Sequence, residues 1–190
     1  MIIRGERVLL RPLQPADWPK LAAWSNDPDV SRYLEGEYPK ALADYPEWYR
    51  RAMSDRHSQH YAISTHSHLL IGHIELDHIA WRSGDAELRI RIGEKAYWDQ
   101  GFGTDAVRTL VRHAFSALGL TRVYLRVFAA NRRAIRCYEK VGFRKEGRLR
   151  RPGPDGGEVT LFLMRILRSE FFQGPRAPAR RLSKAQREAG

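Results

Sequence analysis

Cysteine is almost absent: among 190 residues there is one, Cys137. That excludes an internal disulfide and any metal site built from several thiolates. No apolar run approaches the ~20 residues that a membrane-spanning helix needs. The opening Met1-Ile2-Ile3-Arg4-Gly5-Glu6 lacks the basic-then-apolar order of a secretion signal. The expectation is a cytoplasmic protein with no membrane partner. Two familiar phosphate loops are missing as well. No Gly-Lys-Ser/Thr ending is present, and the dinucleotide pattern beginning at Gly101 would need a third glycine at 106, where Ala106 stands.

Positive charge is what the chain has in excess, at +11. Residues 174–190 carry +4 of it in a stretch rich in Pro, Ala and Arg with no apolar periodicity. The expected division is a folded domain over 1–172 and a basic, disordered tail over 173–190. A nucleic-acid-binding arm is the competing reading of that tail. It ranks last, because the basic residues form no aromatic-interleaved surface. Residues 26–55 reverse the balance, with seven acids and four bases.

The apolar pattern predicts a mixed α/β domain. Strands are expected at 6–13, 59–65, 69–79, 85–93, 123–127, 143–149 and 158–167, the last two joined by a turn at 152–157. Helices are expected from Pro15, around 44–56, over Ala106–Leu118, and from Asn131 to Val141. In the fourth strand Leu88, Ile90 and Ile92 face one way, and Glu87, Arg89 and Arg91 the other.

Gly101-Phe102-Gly103 falls between a strand and the first turn of a long helix. Unpaired N–H groups and the helix dipole make such a point an anion site. Glycines let a phosphate approach the backbone, and Thr104 adds a hydroxyl. By itself this is also the pattern of a tight turn that opens a helix.

The wider stretch from Tyr97 to Arg150 resembles the cofactor-binding half of the GNAT N-acetyltransferases. The branch it is most similar to contains the ribosomal-protein N-terminal and spermidine acetyltransferases. Gly101 and Gly103 fit the loop pattern, and Asn131, Tyr138 and Gly142-Phe143 follow at the family's spacing. The likeness extends over about residues 1–170. Trp98 departs from the usual Arg or Gln, and Asp99 stands where Gly is frequent. An acid beside a pyrophosphate is unfavourable, so Asp99 is expected to point outward.

The resemblance implies a mostly antiparallel sheet of about seven strands, splayed between the fourth and fifth, with helices on both faces. It implies acetyl-CoA as donor. Arg91, Ile92 and Gly93 would lie along the acetyl group and pantetheine. Trp98, Gln100, Gly101, Phe102, Gly103, Thr104, Asn131 and Ala134 would hold the rest of the cofactor. Tyr138 is the candidate acid for the leaving thiolate. Glu87 is the candidate base, directly or through water, with Glu75 in reserve. From periodicity alone, Tyr138 is equally a core aromatic and Glu87 a surface acid paired with Arg89 or Arg126.

The expected acceptor is a peptide N-terminal amine, with polyamines and aminoglycoside-like amines next. A non-catalytic acyl-CoA sensor is the alternative of another class. Glu35 and Glu37 would draw in a cationic amine, and Tyr33, Tyr38, Trp48 and Tyr49 would line its slot. The resemblance leaves room for a homodimer.

Six of the seven histidines fall between His57 and His78. They read as a solvated strand turn rather than a zinc site, which needs three or four converging ligands; no metal is expected. Cys137 adjoins Tyr138 on a helix, about 100° away, so it reads as a small buried residue and not a covalent nucleophile.

Overall fold

The computed structural model describes residues 1–153 and 156–173. The expected basic tail lies outside the described residues from position 174 onward, as do two positions of the turn expected at 152–157. The chain runs β1 (Ile3–Arg4), β2 (Val8–Pro12), α1 (Trp18–Asn26), α2 (Pro28–Ser31), α3 (Tyr45–Ser54), β3 (Gln59–Thr65), β4 (Leu70–Ala80) and β5 (Asp85–Ile92). It continues α4 (Phe102–Ser116), β6 (Arg122–Phe128), α5 (Arg132–Val141), β7 (Arg144–Pro152), β8 (Glu158–Leu167) and α6 (Arg168–Gln173). One eight-stranded sheet has the order β1-β2-β3-β4-β5-β6-β8-β7. Only the β5–β6 contact is parallel.

Strand alternation gives the sheet two different faces. On β3, Tyr61 and Ile63 join the core under α4 and α5, whereas Ala62 joins a second core with Leu21 and Trp24 of α1 and Tyr45 and Trp48 of α3. Helix α4 is the main element of the first core. Leu110, Val111 and Phe115 on it are fully buried, worth about 1.5–3 kcal/mol each. Trp18 and Asp27-Pro28 bound α1, and the extended Asp27 backbone stops it before the proline.

Two short elements go beyond the sequence expectation. Ahead of the strand expected from Glu6, Ile3–Arg4 forms β1, an eighth strand that turns back at Gly5 to pair with β2. The carboxylate of Asp105 on α4 accepts the backbone N–H of Glu6, Arg7 and Val8 at 3.2, 2.8 and 3.1 Å. A Cβ at Gly5 would stand 2.5 Å from both Asp105 Oδ2 and Thr109 Oγ1, so only glycine lets the turn sit on α4. Helix α6 is the other. It packs Phe171 edge-on against Phe115, centroids 5.7 Å apart. Six residues are too few to show a helical period.

The functionally important feature is the join between β5 and β6. Three pairs hold them: Asp85 with Arg122, Ala86 with Val123 and Glu87 with Tyr124. Beyond these, β5 continues to Ile92 and β6 to Phe128 without pairing. The strands expected to splay do so, and a cavity opens between their ends.

Candidate active site

Four elements converge on this cavity. The ends of β5 and β6 supply Ile90–Ile92, Arg126 and Val127; the loop into α4 supplies Trp98–Thr104 in part; α5 forms one wall; and α2 with Tyr33 and Leu34 forms another. Of the residues expected to hold the cofactor, Arg91, Ile92, Trp98, Gly101, Gly103, Thr104, Asn131 and Ala134 line it. Gly93, Gln100 and Phe102 are not on the lining. Gly93 is buried against Trp24, whose ring a Cβ would meet at 1.9 Å. Phe102 packs edge-on against Tyr97, centroids 5.0 Å apart. Gln100 turns its amide to the Ala96 carbonyl.

The two loop glycines have different causes. Gly101 caps α4 with φ +85°, a conformation L side chains avoid. Gly103 is helical, and a Cβ there would come no closer than 3.6 Å to Ile92 and 3.9 Å to Cys137. Neither backbone nor packing requires glycine at 103. Its missing side chain keeps clear the space in front of the first N–H groups of α4, which have no intrahelical acceptor. These features suit a phosphate-bearing cofactor, and so does the charge beside them. Arg133, Arg136 and Lys140 line the α5 wall, and the Arg133 guanidinium sits 3.7 Å over the Trp98 ring. Sequence reasoning missed this basic stripe. Its signal is the helical spacing of the basic positions 133, 136 and 140.

Asp99 also adopts positive φ, +57°, which Asp tolerates better than most residues. It is exposed, yet stands on the cavity lining. The expectation that it turns fully away is therefore revised: its backbone turn keeps it at the rim. Asn131 caps α5, accepting the Ala134 N–H at 3.2 Å.

Tyr138 does both things its pattern suggested. It packs on Phe143 in the core, centroids 5.8 Å apart, and it lines the cavity. Burial, with Cys137 adding to it, pushes its hydroxyl well above the ordinary tyrosine range. It therefore stays protonated at neutral pH. Burial likewise pushes the Cys137 thiol up.

Glu87 lies off the lining, buried in an ion-pair chain. It accepts from Arg126 Nε at 2.8 Å and from Arg89 Nη2 at 2.8 Å. Arg126 lies 3.6 Å from Glu35, and Glu35 in turn pairs with Arg151 at 2.6 Å. Arg89 extends the chain to Asp77 at 2.5 Å and Glu75 at 3.3 Å. Every acid of the expected attracting lip that approaches the site holds a cation of the protein itself: Asp27 and Asp29 share Lys95, at 2.8 and 2.6 Å. Glu37 is exposed. Of the aromatics expected in the acceptor slot, only Tyr33 reaches the cavity. Trp48 and Tyr49 belong to the second core, and Tyr38 gives its hydroxyl to Glu75 at 2.8 Å.

A splayed parallel join, a helix N-terminus with glycines before it, and a tyrosine on the opposite wall form one arrangement. The family model of the GNAT acetyltransferase domain matches residues 7–144. The chain belongs to the GNAT acetyltransferase family. It is an acetyl-CoA-dependent N-acetyltransferase. Among curated relatives, the Escherichia coli K12 spermidine N(1)-acetyltransferase is 29% identical over 144 residues, 75% of either chain. The Klebsiella pneumoniae aminoglycoside N(6')-acetyltransferase type 1 is 29% identical over 169 residues, 83% of either. The crystal structure of the Vibrio cholerae spermidine N-acetyltransferase with CoA and spermine is 25% identical. It superposes with a TM-score of 0.80, covering 87% of this chain and 98% of that one. Among the described residues, no helix is long and apolar enough to cross a membrane.

Proposed function

We propose that this acetyltransferase acts on the primary amine of a small polycation of the polyamine type. The observation that carries the reading is the likeness to spermidine acetyltransferases over three quarters of the chain. It favours a small amine over the peptide N-terminus that the sequence suggested first. The acids near the cavity support it chemically. Asp29 lines the cavity and pairs with Lys95, while Glu35 pairs with Arg151 and with Arg126, which is on the lining. An arriving ammonium can replace Lys95 or Arg151 as their partner.

Acetyl-CoA, when bound, supplies the activated thioester. The N–H groups at the start of α4, together with Arg133 and Arg136, would hold its phosphates. Backbone N–H groups at the end of β5 would polarise the acetyl carbonyl. Tyr138, protonated and on the cavity wall, would give its hydroxyl proton to the departing thiolate. Both oxygens of Glu87 already take guanidinium donors. Its part in removing the amine proton would therefore pass through a water ordered by the Glu87–Arg126 pair.

The test is thiol release from acetyl-CoA across spermidine, spermine, an aminoglycoside and a peptide with a free N-terminus. The expected result is turnover with the polyamines, reduced about 10²–10⁴-fold in Tyr138→Phe. Turnover with the peptide alone would return the acceptor to the N-terminal class. CoA binding with no turnover of any amine would favour an acyl-CoA sensor.

A further inference from the structure

The sheet face opposite α4 carries a second cluster that lies off the lining of the acetyl-transfer cavity and includes Glu75, the base held in reserve by the sequence expectation. His60 on β3 pairs across the sheet with Glu75 on β4, and His73 precedes Glu75 by two residues on the same face. His66 and His68, in the turn, are exposed as the sequence suggested, but His73 and Glu75 are buried and His60 nearly so. The solvated reading therefore fails for this pair. Folding brings them together by strand register, which no spacing along the chain displays.

The structure assigns His60, His73 and Glu75 as a binding site for one divalent cation of the zinc class. His60 Nδ1 lies 2.9 Å from Glu75 Oε2 and 3.3 Å from His73 Nε2, and the last two atoms are 3.7 Å apart. Three atoms so separated share a point about 2 Å from each, the length of zinc bonds to imidazole nitrogen and carboxylate oxygen. The two rings lie within 4° of parallel, centroids 5.4 Å apart, with Nδ1 of His60 turned to Nε2 of His73. Glu75 Oε2 faces the same gap, buried, with His60 Nδ1 as its partner at 2.9 Å. The other oxygen is occupied, accepting from Tyr38 at 2.8 Å and Arg89 at 3.3 Å. A cation in the gap would replace the imidazole proton that now bridges His60 and Glu75 and would bind all three groups together. Tyr38 is the outer partner that aims such a ligand.

The chemistry of the donors selects the ion. Two imidazoles and one carboxylate suit zinc, copper or nickel. They fall short of the six or more oxygens that calcium takes. Trp48 stands edge-on to both histidines, at 5.6 and 6.2 Å, and closes the gap from α3. None of the three ligands lines the acetyl-transfer cavity. The ion would be a pin between β3 and β4 and would take no part in the reaction. This inference stands independently of the acceptor.

The test is titration of chelator-stripped, tag-free protein with zinc against a fluorescent zinc indicator, and separately with cobalt(II). Expected are one equivalent per chain, a submicromolar Kd, visible d–d bands with cobalt and a higher Tm with zinc. His60→Ala should weaken binding by more than 100-fold and Tyr38→Phe by about 10-fold. A His66→Ala/His68→Ala double variant should bind as the wild type does. His60→Ala removes the least buried ligand, and the cobalt spectrum of the unaltered protein needs no variant to fold. Absence of saturable one-to-one binding overturns the site. So does binding that survives His60→Ala and disappears with His66 and His68.

Discussion

The Trp98 indole donates its Nε1–H to the Ile92 carbonyl at 2.7 Å. This bond ties the loop before α4 to the end of β5, where β5 has already left β6. Trp98→Phe keeps most of the ring and removes the donor. CoA affinity, measured by calorimetry, should fall about 2–10-fold, the worth of one net hydrogen bond. Unchanged affinity would mean that the bond does not position the loop.

Gly103 and Gly101 should respond oppositely to alanine. Gly103→Ala meets no close protein atom and improves helix propensity, so the protein should be as stable or up to about 1 kcal/mol more stable. Its CoA affinity should drop at least about tenfold, because the methyl enters the space before the α4 amides. Gly101→Ala, forced to φ +85°, should lose about 1–2 kcal/mol of stability. Melting curves and CoA titrations on the two variants separate these outcomes. A Gly103→Ala protein with normal affinity would remove the phosphate assignment.

Tyr138 sets an alkaline boundary. Its hydroxyl titrates above the ordinary tyrosine value of about 10 because it is buried. Below that pH both folded and unfolded forms keep the proton, and stability is unaffected. Above it the unfolded tyrosine ionises first, so stability falls as pH rises toward the folded value. Denaturant midpoints between pH 8 and 11 should show a decline beginning near pH 10 that is smaller in Tyr138→Phe. The same variant should retain CoA affinity while losing kcat, which a merely structural tyrosine would not do.

Asp105→Ala should be the most damaging change outside the cavity. Three backbone N–H groups lose their acceptor at the β1–β2 turn, at a cost of about 3 kcal/mol. For a domain of this size that is a Tm lower by about 6–12 °C. A shift under 2 °C, by calorimetry, would show that water replaces the carboxylate without loss.

Glu35→Gln tests the acceptor side. The change frees Arg126 and Arg151 from a shared carboxylate and adds a positive field where a polycation would dock. The acceptor KM should rise several-fold at low ionic strength, with kcat less affected, and the difference should shrink in salt. A salt-independent KM equal to the wild type would place the amine elsewhere.

The sequence alone determined a good deal here. The long apolar stripe of α4, the alternation in β5, and the caps at Asn131 and Gly142 are local signals. They placed these helices and strands, and the loop between β5 and α4, because propensity and periodicity act within a few residues. The family spacing of Gly101, Gly103, Asn131 and Tyr138 then located the cavity wall. Tertiary structure decided what depends on partners far along the chain. From the sequence Glu87 was equally a free base and a surface acid paired with Arg89 or Arg126; the fold buries it and gives it both partners. Arg126, 39 residues away, binds it, because parallel register sets β6 beside β5. The turn between β1 and β2 is held by Asp105, about 100 residues further along the chain. His60 and His73 are neighbours because β3 and β4 pair antiparallel, whereas the sequence shows only scattered histidines around a turn. Strand register and side-chain charge pairing are long-range, and no local pattern encodes them.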